Sequence, residues 1–75
     1  MADKQLDYRG MKCPLPVLKA RRALKEMASG DVLEIQADDP ASPLDFAHFC
    51  DEAGHQLINS QTDTTPFTFI IIKGV

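Results

Sequence analysis

No stretch of this chain is apolar for long enough to cross a bilayer. The longest strongly apolar run is Phe69 to Ile72, against the roughly 20 residues that a spanning helix needs. The charged opening, with Asp3, Lys4 and Asp7, lacks the apolar core of a secretory leader, so the expected compartment is the cytoplasm and no membrane partner is expected. There is no Cys-x-x-Cys pair. Cys13 and Cys50 stand far apart in the sequence, and a compartment that keeps thiols reduced points to a free functional thiol rather than a structural disulfide. The two histidines, His48 and His55, form no short paired spacing with the cysteines of the kind structural zinc sites use, so neither a metal nor an organic cofactor is expected. No aromatic platform lies near the cations of the N-terminal third and the net charge is −3, which weighs against nucleic acid as a partner. Repeats, linkers and low-complexity segments are also missing, so residues 1–75 read as one domain. A chain this short buries only about 60% of the surface its unfolded form exposes, and its net stability is expected to be about 4–11 kcal/mol. A deep cleft is excluded at that size, and chemistry belongs on the surface.

What the chain does have is a cysteine at the start of a predicted helix, in the run Cys13-Pro14-Leu15-Pro16, with Arg9 and Lys12 just upstream. Proline is tolerated at the first helical position because that amide has no partner within the helix, which makes Cys13 the expected N-cap. Helix N-termini and nearby cations lower a thiol's pKa, and the thiolate is the nucleophile. Pro16 removes a second first-turn amide, so the expected depression is modest.

From Pro14 to about Ala28 the residues are mostly good helix formers, and Gly30 supplies the stop. At 100° steps, Val17, Ala20, Leu24, Met27 and Ala28 fall on one stripe while Lys19, Arg21, Arg22 and Lys25 fall opposite. Leu15 and Leu18 project among the basic residues, away from the stripe, and with them form a candidate docking surface beside the thiol. Gln5–Tyr8 and Val32–Ala37 read as strands, the second with Leu33, Ile35 and Ala37 on one face. Asp38-Asp39-Pro40 breaks that strand. Ser42-Pro43-Leu44-Asp45 repeats the helix-start pattern, with Ser42 as expected N-cap and Asp45 close to completing a capping box. The second helix runs to Gly54, and its stripe of Phe46, Phe49, Cys50 and Ala53 places Cys50 against the core. Segments 56–61 and 67–73, joined by a polar turn at 62–66, read as a hairpin. Ile70 and Ile72 alternate onto the face opposite Phe69 and Ile71, an exposed candidate for self-association.

The order βαβαββ predicts an α/β two-layer sandwich, with both helices on one face of a four-stranded mixed sheet. If the first two strands are parallel, the loops carrying Cys13 and Asp38-Asp39 emerge at the same edge, where open α/β sheets place their sites. The acids then border the thiol. Charge is also segregated. Residues 1–25 carry seven cations (Lys4, Arg9, Lys12, Lys19, Arg21, Arg22, Lys25) against two acids, whereas the rest carry Lys73 against nine acids, a polarity suited to steering an acidic partner.

Asp7-Tyr8-Arg9-Gly10-Met11-Lys12-Cys13-Pro14-Leu15-Pro16 resembles the signature of the TusA/SirA family of small sulfur-carrier proteins, in which Asp-x-x-Gly-x-x-Cys-Pro-x-Pro precedes the first helix. Gly30-Asp31-Val32, Asp38-Asp39-Pro40-Ala41-Ser42, Phe49-Cys50 and Gly54-His55 extend the similarity over nearly the whole chain. Leu15 stands where the tRNA-thiolation carriers commonly have an acidic residue. The resemblance implies a cytosolic protein with a βαβαββ fold. It also implies that Cys13 accepts sulfane sulfur as a persulfide, often from a cysteine desulfurase, and relays it to a downstream acceptor. Destinations in the family include tRNA thiolation, molybdenum-cofactor biosynthesis and sulfur oxidation. Asp7, Gly10, Pro14 and Pro16 take structural or tuning roles on this reading. Two alternatives belong to other classes: a thiol-disulfide redox protein using Cys13 and Cys50, and a nucleic-acid-binding regulatory module using the basic face of the first helix.

Overall fold

A row of large side chains, Leu24, Leu33, Ile35, Phe46, Phe69 and Ile71, is closed from solvent and organises everything else. The computed structural model describes residues 2–74. Its elements are β1 (Lys4–Asp7), α1 (Leu15–Lys25), β2 (Val32–Ala37), α2 (Ser42–Ala53), β3 (Gln56–Gln61) and β4 (Phe67–Ile72). The sheet order is β1-β2-β4-β3, with β1 and β2 parallel and the other two pairs antiparallel. Alternation along β2 buries Leu33, Ile35 and Ala37. The matching β4 residues Phe69 and Ile71 lie opposite Ile35 and Leu33. Ala20 and Leu24 of α1 and Phe46, Phe49 and Cys50 of α2 join them in one cluster, so both helices cover the same face. This is the expected two-layer sandwich. The Phe46 and Phe69 rings meet at 4.8 Å between centroids, tilted by 36°, a contact that contributes about 0.5–1.5 kcal/mol beyond the area it buries.

Local departures from the sequence reading each have a physical cause. Tyr8 lies just past β1, although its amide still donates to the Gln36 carbonyl at 2.7 Å and its ring is buried. The first helix starts at Leu15, not Pro14, and Pro14 is its N-cap with no side-chain cap. Cys13 is therefore two residues before the helix and not its N-cap. Its amide is drawn away to the Asp39 carboxylate at 2.7 Å. At the other end α1 stops at Lys25, where the Glu26 and Met27 amides turn to the Ala23 and Leu24 carbonyls three residues back, and the Asp31 carboxylate takes the Ala28 amide at 3.0 Å; Ala28 is exposed and off the apolar stripe. Pro16 and Ala23 are buried instead.

The second helix begins at Ser42 itself, after the Ser42 amide donates to the Asp39 carbonyl. The N-cap is Ala41 and no side chain caps the helix. Ser42 is drawn inward, 2% exposed, and its Oγ has no hydrogen-bond partner among the described residues. At the far end Gly54 ends α2 at φ +82°, the left-handed conformation that side chains with a Cβ resist. Ile70 and Ile72 are half-buried, not exposed. Ile70 is flanked in register by Glu34 of β2 and Asn59 of β3 on the helix-free face.

Candidate functional site

Parallel pairing of β1 with β2 brings the β1–α1 and β2–α2 loops to one edge of the sheet, as the topology predicts. Two carboxylates of the second loop reach across to the first. Asp38 Oδ1 accepts the Gly10 amide at 3.0 Å and Asp39 Oδ2 accepts the Cys13 amide at 2.7 Å. Gly10 turns the loop at φ +85°, a conformation that needs glycine. The Asp38-Asp39 pair thus borders the thiol, and it does so as a latch on the backbone of the Cys13 loop.

Cys13 is exposed and Cys50 is buried; both are free thiols. Cys13 lines a hollow of about 200 Å³ between the start of α1 and the side of α2, together with Pro14, Val17, Arg21, Asp45, His48, Phe49 and Glu52. The Asp45 carboxylate lines the same hollow. Its proximity to the thiol, slight desolvation and the negative charges of Asp45 and Asp39 push the Cys13 pKa above the ordinary thiol value. The modest depression expected from the sequence is therefore overturned. The cause is visible at the helix start. Pro14 and Pro16 contribute no amide hydrogens, the Leu15 amide is taken by the Lys12 carbonyl at 2.8 Å, and the charges that shift the thiol are those of Asp45 and Asp39.

Arg9, read as a cation that activates the thiol, is occupied elsewhere. Its Nε and Nη2 grip Asp7 at 2.8 and 2.7 Å, and its amide donates to the same carboxylate at 3.1 Å. Those hydrogen bonds hold Asp7 down to about 2. Asp7 and Arg9 together stiffen the turn before Gly10. Lys12 is exposed. Pro14 caps α1, and Pro16, at the second position of the helix, packs inward.

Leu15 and Leu18 are 47% and 50% exposed, on the outer ridge of α1 where the helical projection puts them. The basic residues divide around that ridge. Lys19 and Arg22 border a hollow shared with Lys4, Tyr8 and Met11 on the β1 side, while Arg21 and Lys25 border a groove facing α2. Arg21 Cζ sits 5.6 Å from the centre of the Phe49 ring, a cation–π contact. Sequence reasoning missed Asp45 as a partner of the thiol. Its place in a capping-box pattern signalled a local role, and no spacing rule links it to a cysteine 32 positions earlier. His48 is exposed on α2, as expected, and pairs with Glu52 at 3.2 Å.

The family model for sulfurtransferase TusA matches residues 4–73, nearly the full chain. The chain belongs to the TusA sulfurtransferase family. A crystal structure of a SirA-like protein from Desulfitobacterium hafniense has the same fold, with a TM-score of 0.79 over 96% of this chain and 99% of that one, at 24% identity. Membership of the TusA family carries a sulfur-carrier role in general terms and, with it, protein partners in a sulfur relay. Among the described residues no helix is long and apolar enough to cross a membrane.

Proposed function

We propose that this TusA-family protein carries sulfane sulfur as a persulfide on Cys13, taking it from a donor protein such as a cysteine desulfurase and passing it to a downstream acceptor in the cytoplasm. The observation that carries the proposal is the contrast between the two thiols. Cys13 lies exposed at the sheet edge where the loops converge, whereas Cys50 is 2% exposed within the core. A redox mechanism needs both sulfurs to meet, and enclosure of Cys50 between α2 and the sheet argues against it.

The step is a thiol exchange at sulfur. The Cys13 thiolate attacks the terminal sulfur of the donor's persulfide, a new sulfur–sulfur bond forms on Cys13, and the donor's own bond breaks to release its cysteine thiolate. The proton that leaves Cys13 ends on that departing thiolate, so the transfer needs no external oxidant or reductant. Asp45, which lines the same hollow as Cys13, is placed to take the thiol proton before attack. An acceptor thiolate repeats the same exchange on the terminal sulfur of Cys13. Two partners have to reach one atom in turn, which a shallow hollow on a small domain permits and a deep pocket does not.

Intact-mass measurement after incubation with a cysteine desulfurase and cysteine tests the proposal. The expected result is a gain of one sulfur, removed by dithiothreitol, abolished in Cys13→Ser and retained in Cys50→Ser. Loading that survives Cys13→Ser, or that needs both cysteines, overturns it.

A further inference from the structure

The groove between α1 and α2 does not end at the thiol. Past Arg21 and Phe49, which also line the Cys13 hollow, it opens into a second hollow of about 260 Å³. Leu24 and Phe49 form its apolar floor, and Arg21, Lys25, His55 and Lys73 stand around it; among the described residues no carboxylate lines it. Two of the donors are fixed in advance. Lys73 Nζ is tethered to the Met27 carbonyl at 2.5 Å, and Arg21 is held over the Phe49 ring. His55 Nδ1 accepts the Gly74 amide at 2.9 Å, while burial and the Lys73 charge lower the pKa of the ring. A neutral imidazole that accepts at Nδ1 carries its proton on Nε2, which makes it a further donor. Among the described residues no acid answers these groups at the hollow.

We propose that this second hollow docks an acidic segment of a partner protein, with one large apolar side chain seated on Leu24 and Phe49 and flanking carboxylates paired with Arg21, Lys25 and Lys73. Charge complementarity selects the acidic segment, and the apolar floor selects the anchor. Continuity with the Cys13 hollow through Arg21 and Phe49 favours an extended chain over a small anion. The helix between the two hollows spans about 15 Å at 1.5 Å per residue, the reach of about five extended residues. That the segment belongs to a sulfur-relay partner rests on the carrier reading above; the binding chemistry does not.

The test is a titration of the isotope-labelled full chain, with its thiol unloaded, against the synthetic peptide acetyl-Glu-Leu-Phe-Glu-Asp-amide, followed by backbone amide shifts. Expected are saturable shifts centred on Leu24, Phe49, Ala53 and His55. A Kd of about 1 mM or tighter is in the range of one anchor with a few surface ion pairs. Lys25→Glu and, as a variant without reversed charge, Lys25→Met weaken binding, the former by about fivefold. A peptide with lysines for the acids does not bind, and one with glycines for Leu and Phe binds more weakly than the parent. Equal binding of the lysine peptide, shifts centred on another face, absence of saturable binding, or unchanged affinity in both Lys25 variants overturns the proposal. Because no sulfur is loaded in this titration, a failure of the carrier reading shows in the mass measurement and leaves the peptide result standing.

Discussion

A thiol beside a carboxylate is harder to ionise than one left in water, and Asp45 raises the Cys13 pKa in this way. Asp45→Asn removes the negative charge while keeping the shape, so the Cys13 pKa falls and the thiolate fraction at neutral pH rises. Alkylation of Cys13 by iodoacetamide at pH 7 is expected to accelerate by about three- to tenfold, with the midpoint of the pH–rate profile moving to lower pH. An unchanged profile removes Asp45 from control of the sulfur. Cys50 behaves differently, because burial alone pushes its thiol up to about 11. A thiol in the unfolded chain titrates near its ordinary value of about 8.5. The unfolded state therefore sheds that proton first as pH rises, and stability that is complete below about pH 8.5 drains away toward pH 11. Urea unfolding across pH 8–11 is expected to record a loss on the order of 1–2 kcal/mol, reduced in Cys50→Ala once its lower baseline stability is subtracted.

The helix starts are where local pattern and tertiary structure part. Ser42 has the sequence of an N-cap, yet its Oγ is buried without a partner among the described residues and Asp45 lines the Cys13 hollow. Ser42→Ala is therefore expected to be neutral or to stabilise by up to about 1 kcal/mol, the reverse of the loss of about 1 kcal/mol that follows removal of a working cap. Gly54→Ala, at φ +82°, is expected to cost about 1–2 kcal/mol. Chemical denaturation of the two variants side by side separates a cap in pattern from a cap in fact. The strands and the second helix, with Phe46, Phe49 and Cys50 of its stripe, were legible because period-2 and period-3.6 apolar spacing is a local property that burial reinforces; Ala53, expected on that stripe, is exposed in the last turn of α2. The shared edge of the Cys13 and Asp38-Asp39 loops was legible too, since it follows from topology. With it came the expectation that Asp38 and Asp39 border the thiol. Asp45 was not legible as a neighbour of Cys13, because no local spacing links the first turn of α2 to the loop before α1, and a reading centred on Arg9 and Lys12 had no means to see that Arg9 spends its donors on Asp7.

At the scale of the molecule, a shortest dimension of 17 Å leaves room for one layer of helices on one sheet and no enclosed chamber, so recognition has to come from surface shape and charge. The cations of α1 stand on both flanks of the Leu15–Leu18 ridge, presenting a basic ridge on a molecule whose net charge is −3. Loading from a protein donor is thus expected to slow several-fold between about 50 and 500 mM salt. Reversing Arg21 and Arg22 together, one on each flank, should lower the association rate by about five- to tenfold. Stopped-time mass measurement at low donor concentration reads both effects, and a salt-independent rate rules out steering. The acidic residues around Cys13 also bear on oxidative wear. An ordinary thiol is a few per cent thiolate at pH 7, and a raised pKa leaves Cys13 below that, so peroxide attacks it more slowly and irreversible oxidation to sulfinic acid is deferred. On the carrier reading, the unloaded thiol is in this way shielded from peroxide between encounters by carboxylates from the loop after β2 and the first turn of α2.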